Sequence, residues 1–400
     1  MSALSPTLKT DAGSQPDRLL GLLYGGLIGD ALGGPLEFSD SATSEKRLAN
    51  VRAWDDERTL SAGELVSLRD SVPLHDYRQL RPDTAPYGPW IPNAPAGTLT
   101  DDSRHKIVLL RALQAANKKG QPLRPTNLAE AFLSFEPKGA EVESTGNART
   151  KLLNEEGFRE YRYAARWLLG ERDLELARPV ERLWAGVNNC SGQMMFPPLS
   201  IRYAGDSEAA YRRTYELDFI DAPIARDYTA ALNAGLAAAL AKDLDTASPR
   251  ERWSRLFEAM RLTDPYRFRE VPFAGRQLDR WLERIPGWLQ RAAGRPKVLF
   301  EILETEGEPV YWWDAHFTLI VPISILQLCN YDPLAAMHLT LDFGHDTDSY
   351  AQVLGCMIGA VHGLSVFSDS HVSAVRTSLL KEYGENVEEW SEVLTSKPKT

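Results

Sequence analysis

Apolar residues recur along most of this chain at the three- and four-residue spacing of an α-helix, and almost nowhere at the alternation of a strand. In 102–116, Ile107, Leu110, Leu113 and Ala115 keep that spacing, and Lys118, Lys119 and Gly120 supply a stop signal. Residues 19–32 form an apolar stretch rich in small residues, opened by Pro16 and Asp17. The same criteria predict helices over 127–135, 151–169, 207–218, 224–242, 249–262, 275–289, 297–304 and 348–362. A final amphipathic helix is expected over 370–394. The most apolar stretch, 311–329, contains Asp314 and Pro322, and reads as a buried helix pair rather than a membrane span. A short run at 51–54 is a weak hairpin candidate. The pattern as a whole predicts an all-α protein.

The punctuation between these elements sets the organisation. Residues 1–17 are polar, with Pro, Ser and Gly, and read as a flexible leader. Residues 18–395 are expected to form one helical domain, with 396–400 as a tail. Within it, 38–99 stands apart as a long polar excursion, rich in Pro and Gly near its end (PDTAPYGPWIPNAPAG). A connection of that length inside a compact protein is commonly functional or disordered. Its aromatics Trp54, Tyr87 and Trp90 suit either stacking on a base or pinning the loop to the core.

Composition narrows the function classes. The 400 residues carry a formal net charge of -10, which argues against nonspecific binding to nucleic acid or to an anionic membrane surface. The three cysteines, Cys190, Cys329 and Cys356, form no CxxC pair, so a reducing cytoplasm is expected. The N-terminus lacks the apolar core of a secretory signal.

Two helices carry glycine at four-residue intervals: Gly21, Gly25, Gly29 and Gly33 in the first, and Gly355, Gly359 and Gly363 in the late one. Each glycine inside a helix costs about 1 kcal/mol relative to alanine, and residues four apart share a face. A bare face at that cost implies close helix packing, between these two helices or with others. Mutual packing brings Asp30 and Glu37 towards the N-terminal end of the late helix.

That end is acidic. Thr100-Asp101-Asp102-Ser103 and Asp346-Thr347-Asp348-Ser349 each place two carboxylates and two hydroxyls in four residues, directly before a helical stretch. Capping and the helix dipole explain either cluster taken alone. If the two meet, like charges ~4 Å apart repel by roughly 4 kcal/mol at an effective dielectric of about 20, and the oxygen-only donor set suits hard divalent cations. Zinc is a poorer match, because none of the seven histidines stands in an HxxxH pair.

In order, Gly29-Asp30-Ala31-Leu32-Gly33 with Glu37, then Thr100 to Ser103, then Gly344-His345-Asp346-Thr347-Asp348-Ser349 resemble the ADP-ribosylglycohydrolase family. The late run GCMIGAVHG, 355–363, resembles that family's helix after its last motif. The resemblance implies a compact, single-domain orthogonal bundle of helices around a binuclear Mg²⁺ or Mn²⁺ centre. It implies an enzyme that cleaves the glycosidic bond of ADP-ribose attached to a protein side chain or a small molecule. By position, Thr100, Asp101, Asp102, Asp346, Asp348 and Ser349 would be metal ligands, and Glu37 would contact water or substrate, with Asp102 a second candidate base. Asp30, Gly344, His345, Asn189 and Gly192 are substrate-binding candidates, the last two in a loop whose amides suit a phosphate. Met195 stands where the family often has arginine, which points to another ribosylated compound as an alternative ligand. A metal-dependent phosphohydrolase and a non-enzymatic, crystallin-like member are the rival classes.

Overall fold

The closest packing in the molecule joins the two glycine-faced helices. The computed structural model describes residues 11–37, 96–135 and 158–396. Its helices, in chain order, are α1 (Gln15–Gly33), α2 (Asp101–Lys118), α3 (Pro125–Ser134), α4 (Arg159–Leu168), α5 (Val180–Trp184), α6 (Ser191–Met195), α7 (Leu199–Arg202), α8 (Ser207–Leu217) and α9 (Pro223–Ala239). They continue as α10 (Pro249–Leu262), α11 (Gln277–Leu282), α12 (Ile285–Ala292), α13 (Pro296–Glu306), α14 (Ala315–Leu328), α15 (Pro333–Phe343), α16 (Thr347–His362), α17 (Asp369–Tyr383) and α18 (Val387–Thr395). Among the described residues, extended backbone pairs only at one isolated bridge, between Asn189 and Asp314. The fold is all-α, as the periodicity predicts, and one cluster of buried apolar side chains runs from Leu19 to Leu394.

α1 and α16 pack antiparallel along their lengths. Gly21 faces Gly359, Gly25 faces Gly355, Gly29 faces Ala351, and Gly33 faces Asp348. A Cβ on any of these glycines would come under 3.0 Å from backbone atoms of the opposite helix. The glycine stripes therefore serve each other, and the C-terminal end of α1 abuts the N-terminal end of α16. α1 is also long and apolar enough to cross a membrane, but its apolar window is entirely buried within the protein. It is a core helix.

Several boundaries differ from expectation. α1 begins at Gln15, with Pro16 in its first turn, and Asp17 and Arg18 are buried. Residues 15–17 thus belong to the packed helix and not to a leader. The predicted helix over 275–289 is two helices, α11 and α12, because Pro286 fits a first turn but would break a helix interior. The predicted helix over 370–394 is also two: Gly384 ends α17 in the left-handed region (φ 67°), and the Asn386 side chain caps α18. The expected helix pair over 311–329 is the single helix α14, which holds Pro322 in its interior. α15 was missed although Asp332 and Pro333 form a start signal, with the Asp332 carboxylate accepting the Leu334 and Ala335 N–H groups. The 51–54 run, the aromatics of the excursion and residues 151–157 lie outside the described residues.

Adding one methyl group at Gly359 pushes it into the Gly21 carbonyl, so Gly359→Ala should destabilise the protein by about 1–3 kcal/mol or more. Gly287→Ala in α12, where a Cβ meets nothing within 4 Å, should be neutral or gain about 0.5–1 kcal/mol. Urea denaturation of both variants checks the pair.

Candidate active site

Helix-start chemistry builds the first half of the site. Thr100 is the N-cap of α2, and its Oγ1 accepts the Asp102 N–H at 3.2 Å. That cap leaves the Asp101 and Asp102 carboxylates free for other partners. Asp346 occupies the corresponding position at α16 but makes no side-chain cap bond. Capping therefore accounts for Thr100 and not for the acids.

The two clusters meet. Carboxylate oxygens of Asp101, Asp102 and Asp348 lie within 4.8 Å of one another, and so do those of Glu37, Asp346 and Asp348. Asp348 belongs to both groups. Ser349 Oγ crosses between the clusters and donates to Asp102 Oδ2 at 3.3 Å, while Ser349 N–H donates to Asp348 Oδ1 at 3.0 Å. Asp30, from the last turns of α1, accepts the Thr100 N–H at 3.1 and 3.2 Å and the Ser103 hydroxyl. It thereby ties the glycine-faced helix to the start of α2.

Nearly all of this chemistry is buried. Only the Asp101 side chain keeps substantial exposure, at 30%. Asp102 Oδ1 is buried without a hydrogen-bond partner. Burial, then the Asp348 charge, pushes Asp102 well above the usual carboxylate range. Burial, then Asp346 and Asp101, does the same to Asp348. Asp346 is pushed up to about 7 by burial, against the opposing bond from Ser349. Asp30 is raised by burial, and the charge of Lys106 is the main influence opposing the rise.

The remaining candidates fall into two groups. Gly344 (φ 78°) and His345 (φ 59°) form the left-handed turn that redirects the chain from α15 into α16. His345 Nε2 meets Glu304 Oε1 at 2.8 Å, and its ring stacks on Trp312 with centroids 3.7 Å apart. Tyr350 of α16 donates to the Trp312 carbonyl, so the Trp312 stack holds the turn against α16. The Gly192 N–H, one of the amides expected to suit a phosphate, is committed within the protein, while Asn189 turns its side-chain oxygen to Ser191. The Ser191 N–H is bonded to Asn189 Oδ1 at 2.8 Å, and the Gly192 N–H to the Asp221 carboxylate at 3.0 and 3.1 Å. The segment opens the short helix α6 and spends these amides internally. Met195 is fully buried in the core.

Two neighbours of the site escaped sequence reasoning. Cys190 Sγ lies 3.8 Å from Asp346 Oδ2 and 3.7 Å from Ser349 Oγ. A lone cysteine gives no signal at sequence level. Lys106, buried at 2% exposure, donates to the Asp102 carbonyl at 3.1 Å. Its position, four residues after Asp102, places it on the same helix face as that acid.

Among the described residues, the acids at the starts of α2 and α16 form one buried cluster within an all-α fold. The ADP-ribosylglycohydrolase family model matches residues 11–397, nearly the whole chain, and the protein belongs to that family. It is a hydrolase of glycosidic bonds. No curated protein matches the chain closely enough to count as a relative.

The raised carboxylates set the sign of the pH dependence. A group whose folded pKa lies above its unfolded value adds stability that is fully present below the unfolded value. That stability is lost as pH rises through the folded one. With Asp346 near 7 and the buried Asp218 near 6, thermal stability in chelator should fall as pH rises from 5 to 8. Asp348→Asn removes the charge common to both groups and should raise stability in chelator by about 1 kcal/mol or more. Thermal melts across pH, with and without the substitution, check both.

Proposed function

We propose that this hydrolase cleaves the glycosidic bond of an ADP-ribosyl group, carried on a protein side chain or a small molecule, and that it works with two Mg²⁺ or Mn²⁺ ions. The observation that carries the reading is the pair of carboxylate groups sharing Asp348. So dense a set of buried like charges needs cations, and the unpartnered Asp102 Oδ1 is an acceptor with a coordination position to fill. The donor set fits hard ions: the acids supply only oxygen, and no histidine joins either group. Asp101, Asp102 and Asp348 would hold one ion, and Asp346 and Asp348 the other, with Thr100 and Ser349 hydroxyls as neutral ligands. When bound, the ions would orient ribose hydroxyls and polarise a water molecule.

The chain's own residues account for the rest. Glu37 lies beside Asp346 and Asp348, where it would accept the proton of the attacking water. Asp102 is the second candidate for that proton. The carboxylates stabilise the positive charge that develops at the anomeric carbon as the leaving group departs. Asp30 holds the α2 start in register through Thr100 and Ser103. His345, locked by Glu304 and Trp312, borders the second acidic cluster and would contact substrate from there. Burial of all three cysteines as free thiols supports a reducing, cytoplasmic setting.

Met195 favours a second reading, in which the substrate is another ribosylated compound. Its buried side chain offers no charge to a diphosphate. A panel of ADP-ribosyl-arginine, ADP-ribosyl-serine, simple ribosides and phosphate esters separates these readings from phosphohydrolase activity. Turnover of an ADP-ribosyl substrate should require Mg²⁺ or Mn²⁺ and vanish in chelator. Glu37→Gln should reduce kcat about 10²–10⁴-fold, and Asp346→Asn should abolish the divalent-dependent turnover. Full activity in Asp346→Asn would remove the assigned role.

A further inference from the structure

A cavity of about 310 Å³ opens between α2, α7, α8 and the connection into α3, well away from the acids. Leu113 lines it, and eleven residues of α2 separate Leu113 from Asp102, about 17 Å at the helical rise. The floor is apolar: Leu113, Leu123, Leu199 and Leu217 are all buried, and Tyr203 adds a half-buried ring. The rim is basic. Arg124, Arg202 and Arg213 stand around it with one acid, Glu216, so the described lining carries a net charge of +2 (three arginines less one glutamate). That sign runs against the -10 of the whole chain. Glu216 is already engaged, since Arg213 donates to its Oε2 at 2.6 Å and to the Leu123 carbonyl at 2.9 Å. Arg202 donates to the Ser396 carbonyl at 3.0 Å and to Asn117 Oδ1 at 3.3 Å. These bonds fix two guanidinium groups and use two of the five N–H groups on each. Burial lowers the Arg202 guanidinium from its ordinary value, Tyr203 opposes the fall, and the Arg213 charge adds to it. Like charges held together beside an apolar recess favour an anion between them.

We propose that this cavity binds a small organic anion, with a phosphate or carboxylate head held at the arginine rim and a flat apolar body laid on the leucines and Tyr203. Ligand sites commonly combine an apolar lining with a few fixed polar groups, at volumes of about 300 Å³ and upwards. The planar fork of arginine meets phosphate and carboxylate oxygens in pairs. Arg202 and Arg213 are braced before a ligand arrives, so less side-chain freedom is lost on binding. Bracing alone, of the 122–125 turn and of the chain at Ser396, would account for Arg202 and Arg213. It gives no reason for a third arginine, Arg124, at the same rim. The inference does not rest on the proposed function.

The test is calorimetric titration of the full chain with phenyl phosphate and with benzoate, in chelator, where the acid cluster repels anions. Inorganic phosphate and phenol stand for the head and the body alone. The proposal predicts that at least one of the two probes binds, and more tightly than either phosphate or phenol. Arg124→Glu should weaken that binding about ten-fold or more, as expected when a charge-assisted hydrogen bond is lost. Phosphate binding as tightly as phenyl phosphate would indicate charge pairing at the surface only, and would overturn the proposal. So would no binding of either probe, or binding that Arg124→Glu leaves unchanged. Arg124 is exposed, so the variant should melt as the wild type does. If it melts lower, Arg124→Gln takes its place under the same expectation.

Discussion

The close approach of α1 and α16 is the constraint on which the site depends. Because the backbones touch through Gly21, Gly25, Gly29 and Gly33 on one side and Gly355 and Gly359 on the other, their register is fixed within a residue. The pairing is antiparallel, so Asp30 and Glu37 at the end of one helix reach Asp346 and Asp348 at the start of the other. Gly33 sits against the Asp348 backbone itself. A side chain in the seam would separate the helices and draw the acids apart. The glycines, which look wasteful as helix residues, set the distances between carboxylates.

That geometry is electrostatically costly. Asp102, Asp348 and Asp346 are buried against one another and held above the usual carboxylate range. The protein offsets part of the cost with donors supplied locally: Thr100 and Ser103 to Asp30, and Ser349 to Asp102. What remains uncompensated, above all Asp102 Oδ1, is where a cation would act. A site of this kind trades stability for readiness.

Much of this was legible in the sequence because it is local. Helical periodicity, the Thr100 cap and the four-residue glycine spacing are properties of short segments, and each survived in the structure. The convergence of the two acid clusters was readable only as a conditional, since nothing local says which glycine faces meet. Helix breaks at Gly384 and near Pro286 were punctuated in the sequence, and the apolar pattern on either side masked them. The amides of Ser191 and Gly192 could not be assigned from sequence, because their acceptors include Asp221, 29 residues away from Gly192. Cys190 beside Asp346 is likewise a purely tertiary contact.

The central claim is that Asp348 is common to two cation positions. Counting bound Mn²⁺ per chain by electron paramagnetic resonance tests it most directly, on the wild type, Asp101→Asn and Asp348→Asn. The account predicts two ions in the wild type, one retained in Asp101→Asn, and none held tightly in Asp348→Asn. Undiminished stoichiometry in Asp348→Asn would contradict it.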